Sequence, residues 1–274
     1  MSPESHPGEF SFPGVPLDRP SAARIYDYLL GGYHNFEIDR QIAERFMAVY
    51  PDFARTAQVN RAYLRRVLEF VTAQGIDQFL DLGSGIPTAG NVHEIVAQPF
   101  PDARVVYVDI DPVAVAHGEA ILRDNPNVAA IRGDVADAAA ILKHPKVLEL
   151  LDFSRPLGLI MLAVVHFVPE LEQAVRAVDA YKAALAPGSY LILGTWTYDD
   201  APEDALSQYA EIIKATPMTA RPHSRAMVER YFSGLEIVEP GIVHSPAWRP
   251  DAPHDLMADD PGRSLTWVGV ARKP

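Results

Sequence analysis

The chain has 274 residues, 48% hydrophobic and 22% charged, enough apolar material for one α/β domain with a sizeable core. It has no cysteine, which excludes disulfides, thiolate metal sites and thiol catalysis. With 24 basic against 36 acidic residues its formal charge is −12, a field that repels phosphate backbones, so no nucleic-acid partner is expected.

The 9 histidines are scattered and form no metal-binding helix pattern, so no metal is expected. No stretch approaches the roughly 20 apolar residues of a membrane span. Residues Met1 to Pro20 carry Pro3, Pro7, Pro13, Pro16 and Pro20 without a basic start followed by an apolar core. That reads as a flexible arm and not a signal peptide, and the expected location is the cytoplasm.

After the arm, Ser21 is placed to cap a short helix with Ala22, Ile25, Tyr26 and Leu29 at helical spacing, ended by Gly31-Gly32. Tyr33 to Phe36 reads as a turn. Asp39 is expected to open a second helix carrying Ile42, Phe46 and Val49, and a third runs from about Asp52 to Ala73 with a Val59, Tyr63, Val67, Val71 stripe. Residues 21–74 therefore read as a helical cap, with five arginines between Arg45 and Arg66.

From Gly75 strands and helices alternate. Strands are expected at Gln78 to Leu82, Arg104 to Asp109, Val128 to Arg132, Leu157 to Val165 and Ser189 to Gly194. Helix-compatible segments lie between them, such as Pro112 to Arg123 and Glu170 to Leu185. This order predicts a parallel, doubly wound, Rossmann-like sheet over 75–274. A helical insertion over 196–234 holds segments at about Pro202 to Lys214 and Ser224 to Tyr231. Two closing strands, Leu235 to Val238 and Leu265 to Ala271, flank a Pro- and Asp-rich loop, Pro246 to Pro261. They are expected to pair antiparallel at the sheet edge, for seven strands in all.

Gly83 and Gly85, directly after the first strand, let backbone approach a ligand closely, and the following helix can aim free N–H groups at an anion. A purely structural turn is the alternative. Asp109 ends the second strand, where a carboxylate can accept both hydroxyls of an adenosine ribose. Thr88 replaces the last glycine of the dinucleotide fingerprint, and Asp81 beside a pyrophosphate would set like charges together. Asp81 suits a ligand with a cationic amine, which S-adenosylmethionine offers without a phosphate. It is also placed to hold only its own turn.

The runs Asp81-Leu82-Gly83-Ser84-Gly85-Ile86-Pro87-Thr88, Asn91-Val92-His93-Glu94 and Val106 to Pro112 resemble an actinobacterial family of S-adenosylmethionine-dependent methyltransferases formerly known only as a domain of unknown function. The resemblance includes Pro20 to Phe36, Asp39-Arg40, His166-Phe167, Pro187 to Leu191 and Phe232 to Leu235, and spans about Arg19 to Ala271. It implies a class I methyltransferase sheet, mostly parallel with an antiparallel last strand. It also implies that Gly83 and Gly85 line the methionine part of the cofactor, Asp109 holds the ribose, and Asp134 meets the adenine amine beside Val135. Asp134 as a helix cap is the plain alternative, and Asp111 before Pro112 reads as a helix start.

Asn35 follows the double glycine and is either a turn former or part of a loop folded over the cofactor, with Tyr28 and Tyr33 shielding the sulfonium. The segment from Ser21 to about Met47 would then close as a lid. On the acceptor side stand His166, either a general base or without a direct role where in-line approach alone suffices, and Trp196, Tyr198, Met218, Arg221 and His223 as pocket candidates, Arg221 being otherwise an ordinary surface arginine. The expected function is methyl transfer to an oxygen or nitrogen of a small molecule. A non-catalytic sensor of S-adenosylmethionine or S-adenosylhomocysteine is the alternative, and an NAD-dependent oxidoreductase is disfavoured by Asp81.

Overall fold

The structure, a computed structural model, describes residues 19–87, 90–216 and 218–274; the expected arm as far as residue 18, and Thr88, lie outside them. Three helices come first, α1 (Ala22–Leu29), α2 (Glu37–Val49) and α3 (Phe53–Ala73). Ser21 precedes α1 as expected, but its side chain makes no capping bond; its N–H donates to Asp39 Oδ1 at 2.9 Å. Asp39 lies inside the first turn of α2, where Oδ2 accepts from Phe36 N–H at 2.9 Å and faces Arg24 Nε at 2.9 Å. Both side chains of this ion pair are buried, so removing either partner would strand a charge.

The sheet starts with β1 (Gln78–Leu82), β2 (Arg104–Asp109), β3 (Val128–Arg132), β4 (Gly158–Leu162) and β5 (Tyr190–Trp196), all parallel, in the order β3-β2-β1-β4-β5. Then β6 (Glu236–Ile237), β7 (Val243–His244) and β8 (Thr266–Arg272) close the edge, with β8 antiparallel to β5 and both short strands antiparallel to β8. The described residues thus form eight strands where seven are predicted. The extra one, β7, is two residues long, too short to leave a periodic pattern.

Strand side chains alternate between two cores. Phe79, Val105, Tyr107, Ile160 and Ile192 face one side; Leu80, Val106, Val108, Met161 and Leu193 face the other. The first side is covered by α3, α4 (Val92–Val96), Leu122 at the end of α5 (Pro112–Leu122), and Trp248. The second is covered by α6 (Ala138–Leu142), α7 (Pro145–Leu150), α8 (Leu171–Ala184) and, beyond α9 (Glu203–Lys214), α10 (Arg225–Tyr231). Burial on both faces explains the near-continuous apolar run of β4.

A third apolar cluster joins α1, α2, the start of α3, α9 and Leu265. Phe46 stacks on Phe53 at 4.8 Å there, and Tyr209 lies 5.8 Å from Phe46. Helix α3 therefore serves two clusters, its first turns packing on α1 and its later turns on the sheet. Strand β4 ends earlier than predicted, at Leu162, because Ala163 takes a left-handed φ of 55° and leads into a short 3-10 turn over Val165–Phe167. No described helix is long and apolar enough to cross a membrane.

Candidate active site

The strand order reverses between β1 and β4, and a cavity of about 790 Å³ opens at the carboxyl ends of the strands. That volume is at the upper end for a small-molecule site and leaves room for two ligands side by side. Asp81, Gly83, Gly85, Asp109, Asp134 and Val135 line one end of it. His166, Trp196 and Met218 line the same cavity, so nine of the residues singled out in the sequence meet in one space.

The glycine turn is built by close approach. Gly83 has φ 74°, and a Cβ there would sit 2.3 Å from Val164 Cγ2. Gly85 has φ 68°, and a Cβ there would meet nothing within 4 Å, so its bare backbone borders open cavity. Gly83→Ala is expected to lower stability by roughly 1–3 kcal/mol through overpacking and a strained φ, read as a lower urea midpoint at unchanged slope. An unaltered midpoint would mean that Val164 gives way freely.

Asp109 is clamped by backbone: Oδ2 accepts from Gly85 N–H at 2.8 Å and Oδ1 from Asp111 N–H at 2.8 Å. Burial raises its pKa, with these two bonds opposing the rise. Its remaining lone pairs can serve two hydroxyls, as a ribose ligand needs. Asp81 is buried yet accepts no hydrogen bond from the described residues. Burial pushes its pKa up to about 7, with Arg61 nearby lowering it and Asp109 raising it. A lone buried carboxylate of this kind fits a cationic ligand group, and the cradle as a whole fits S-adenosylmethionine.

Asp134 is exposed at the cavity rim and closes its own turn, accepting from Ala136 N–H at 2.9 Å. The cap of α6 is Asp137, which accepts from Ala140 N–H. Asp111 is the cap of α5, accepting from Val113 N–H at 2.8 Å.

His166 is buried on the 3-10 turn after β4. Its Nδ1 lies 3.2 Å from the Thr195 hydroxyl and accepts from Trp196 N–H at 3.4 Å, which leaves the proton on Nε2. Burial, reinforced by His223, pushes its pKa down to about 3. Both features favour the neutral imidazole near pH 7.

Several candidates lie off the cavity wall. Tyr33 is 85% exposed, its ring tilted against that of His34 with centroids 4.3 Å apart. The Tyr28 hydroxyl donates to Glu44 Oε1 at 3.2 Å on the outside. Asn35 is the turn former: its Nδ2 donates to Asp27 Oδ2 and to Gly32 O, each at 2.9 Å. Gly32 is required there, because a Cβ would fall 2.1 Å from Asp27 Oδ1. Tyr198 backs the wall, 4.9 Å from the Trp196 ring and stacked on Tyr209. Arg221 directs its side chain outward to Glu170, while its N–H donates to His166 O at 2.7 Å. His223 is fully buried behind Thr195, 3.2 Å from its hydroxyl.

The cavity wall also holds residues that the sequence did not mark out. Tyr26, not Tyr28, faces inward from α1, its hydroxyl donating to Ala57 O at 3.1 Å and accepting from Asn60 Nδ2 at 3.0 Å. Helix α3 contributes Phe53, Thr56, Ala57, Asn60, Arg61 and Leu64, a spacing of three and four that defines one face. A cation among apolar residues on that face was the signal to look for.

The sequence profile of a family described as S-adenosyl methyltransferase matches residues 13–274. Among solved structures, a Thermobifida fusca protein named as a candidate methyltransferase is 40% identical, with a TM-score of 0.88 over 97% of this chain and 99% of that one. A DUF574 family protein from Streptomyces avermitilis is 35% identical, with a TM-score of 0.88 over 94% of this chain and 99% of that one. Comparison with curated proteins gave no match. A match over nearly the whole length, on a sheet of this order with its cavity at the strand ends, means that the chain belongs to the S-adenosyl methyltransferase family and is an S-adenosylmethionine-dependent methyltransferase.

Proposed function

We propose that the chain methylates an oxygen or nitrogen atom of a small, uncharged and largely apolar molecule held between the glycine turn and the α1–α2–α9 cluster. The observation that carries this reading is the make-up of the cavity's far wall. Leu29, Phe46, Phe53, Trp196, Met218 and Leu265 line it, and no acidic side chain does so between them. Such a wall favours apolar and aromatic surface, and the charge of −12 outside opposes large polyanions.

In this reading Asp109 takes the ribose hydroxyls, Asp134 and Val135 border the adenine, and Gly83 and Gly85 leave room for the methionine chain. The cofactor bound there supplies an electrophilic methyl group on a positively charged sulfur. The protein holds the acceptor in line and keeps water out, and proximity supplies most of the acceleration. His166, neutral and fixed by Trp196 N–H, orients the acceptor by hydrogen bonding and does not take its proton. Helices α1 and α2 with the start of α3 cap the acceptor end.

Incubation with S-[methyl-14C]adenosylmethionine tests this, using a deproteinised metabolite extract, a panel of neutral phenols and arylamines, and separate protein and RNA fractions. Label is expected in organic-extractable small molecules. Label confined to precipitable protein or RNA would overturn the small-molecule reading.

A further inference from the structure

Thr195 joins two buried imidazoles. It lies near the end of β5, and its hydroxyl is 3.2 Å from His166 Nδ1 and 3.2 Å from His223 Nδ1. All three side chains are buried. The backbone holds the same grouping, because Arg221 N–H donates to His166 O at 2.7 Å and His223 N–H to Trp196 O at 2.9 Å. His223 stands behind the cavity wall that His166 and Thr195 help to form.

A hydroxyl has one proton, so Thr195 donates to only one of the two rings and accepts from the other. The chain of bonds therefore has one of two polarities, and its ends decide which. At the His166 end, Trp196 N–H donates to Nδ1 at 3.4 Å. A backbone N–H only donates, so this nitrogen carries no proton and the Thr195 hydroxyl donates to it as well. Two donors sharing one lone pair agree with the length of both bonds.

At the far end, His223 Nε2 is buried without a hydrogen-bond partner among the described residues. Buried N–H donors are left unpaired less often than acceptors, which suits a bare Nε2 with the proton on Nδ1. Both ends thus give one order. His223 Nδ1–H donates to Thr195 Oγ1, and the Thr195 hydroxyl donates to His166 Nδ1. The order requires neutral rings, and burial lowers the pKa of both, His166 to about 3 and His223 to about 4.

We propose that Thr195 and His223 are positioning residues that set the tautomer of His166, so that it presents Nε2–H to the acceptor molecule as a fixed donor. The assignment rests on the placement of His166 beside the acceptor proposed above. With Nδ1 turned to Thr195 and Trp196, Nε2 is the nitrogen left for the cavity that His166 lines. A donor there engages a lone pair of the acceptor, such as that of a carbonyl or ether oxygen. An N–H of the acceptor in the same place would set donor against donor.

The test is the two-bond 1H–15N spectrum of the histidine rings in the full chain at pH 7.5, with His166→Gln and His223→Gln assigning the signals. It needs no acceptor. The parent is expected to show two neutral rings of opposite tautomer, His166 protonated on Nε2 and His223 on Nδ1. Thr195→Val removes the hydroxyl and keeps the branched shape. Its two rings are expected to move towards tautomer-averaged nitrogen shifts, and Thr195→Ser is expected to restore the parental ones. A proton on His166 Nδ1, one tautomer shared by both rings, or a charged ring in the parent overturns the proposal. Parental His166 shifts in Thr195→Val also overturn it, as does a change in Val that Ser does not restore, because Thr195 would then act through packing. The polarity is read from the parent alone, so a variant that fails to fold does not shield it. Label found only in protein or RNA would remove the small-molecule reading and leave the tautomer result standing, whereas the opposite polarity removes the positioning role alone.

Discussion

Asp81→Asn is expected to raise the thermal unfolding midpoint of the ligand-free protein at pH 8 and to abolish most of the stabilisation that S-adenosylhomocysteine confers. Burial lifts the Asp81 pKa from 3.8 to about 7, with Arg61 opposing and Asp109 adding to the rise. The folded chain thus holds this proton more tightly than the unfolded one does. The stability it contributes is fully present below about pH 4 and is lost as pH rises through about 7. At about 1.4 kcal/mol per unit, the ionised carboxylate costs the empty protein up to about 4 kcal/mol at pH 8. Asn is neutral at every pH and escapes that cost, and about 2–4 °C per kcal/mol makes the gain easy to read. With ligand the order should invert where the cofactor's ammonium docks on Asp81, a contact that needs the ionised form. Parental affinity should therefore rise from pH 6 to pH 8 and the Asp81→Asn affinity stay flat. A midpoint for Asp81→Asn at or below the parent's at pH 8 would show that Asp81 is not held against its own ionisation.

How much of this was legible depends on how far each signal reaches along the chain. The first three strands lie where their apolar runs end in Asp81, Asp109 and Gly133, because a parallel strand must be apolar on both faces and its exit carries the site. Asp109 and the two glycines could be placed from their neighbours in sequence. The front motif was legible as a motif but not as geometry. Gly32 and Asn35 serve Asp27, a contact made by a side chain that turns back through the loop, and nothing in the residue pattern gives that direction. Tyr26 and Tyr28 are two residues apart on a helix and so point to different sides; the packing of α1 on α3 decides which one faces inward. Arg61 was the least legible. That its Nε is buried beside the cavity without a hydrogen-bond partner among the described residues is a property of the assembled fold. His166 shows the reverse limit: its position after β4 was readable, while its weak basicity comes from burial beside Thr195 and His223.

Asp109→Ala is expected to weaken S-adenosylhomocysteine by more than tenfold, because two hydroxyls would lose a charged acceptor worth about 1.5–3 kcal/mol per bond. The structure adds a second loss. Each Asp109 oxygen already accepts a backbone N–H, from Gly85 on the glycine turn and from Asp111 at the start of α5. The carboxylate therefore ties the glycine turn and the start of α5 to each other before any ligand arrives. Asp109→Asn keeps the shape, but one of its two positions becomes an NH₂ group facing a backbone N–H, donor against donor. Asn should thus lose nearly as much affinity as Ala, whereas a residue acting through charge alone would show Asn clearly milder. Both variants should also unfold at lower urea than the parent, since a partly buried N–H left without an acceptor costs about 1–3 kcal/mol. Calorimetry and urea unfolding on the three proteins decide between these cases. Ala binding as tightly as the parent would remove Asp109 from the site. A loss of affinity without any loss of stability would separate the ligand contact from the link between the two turns and leave only the first.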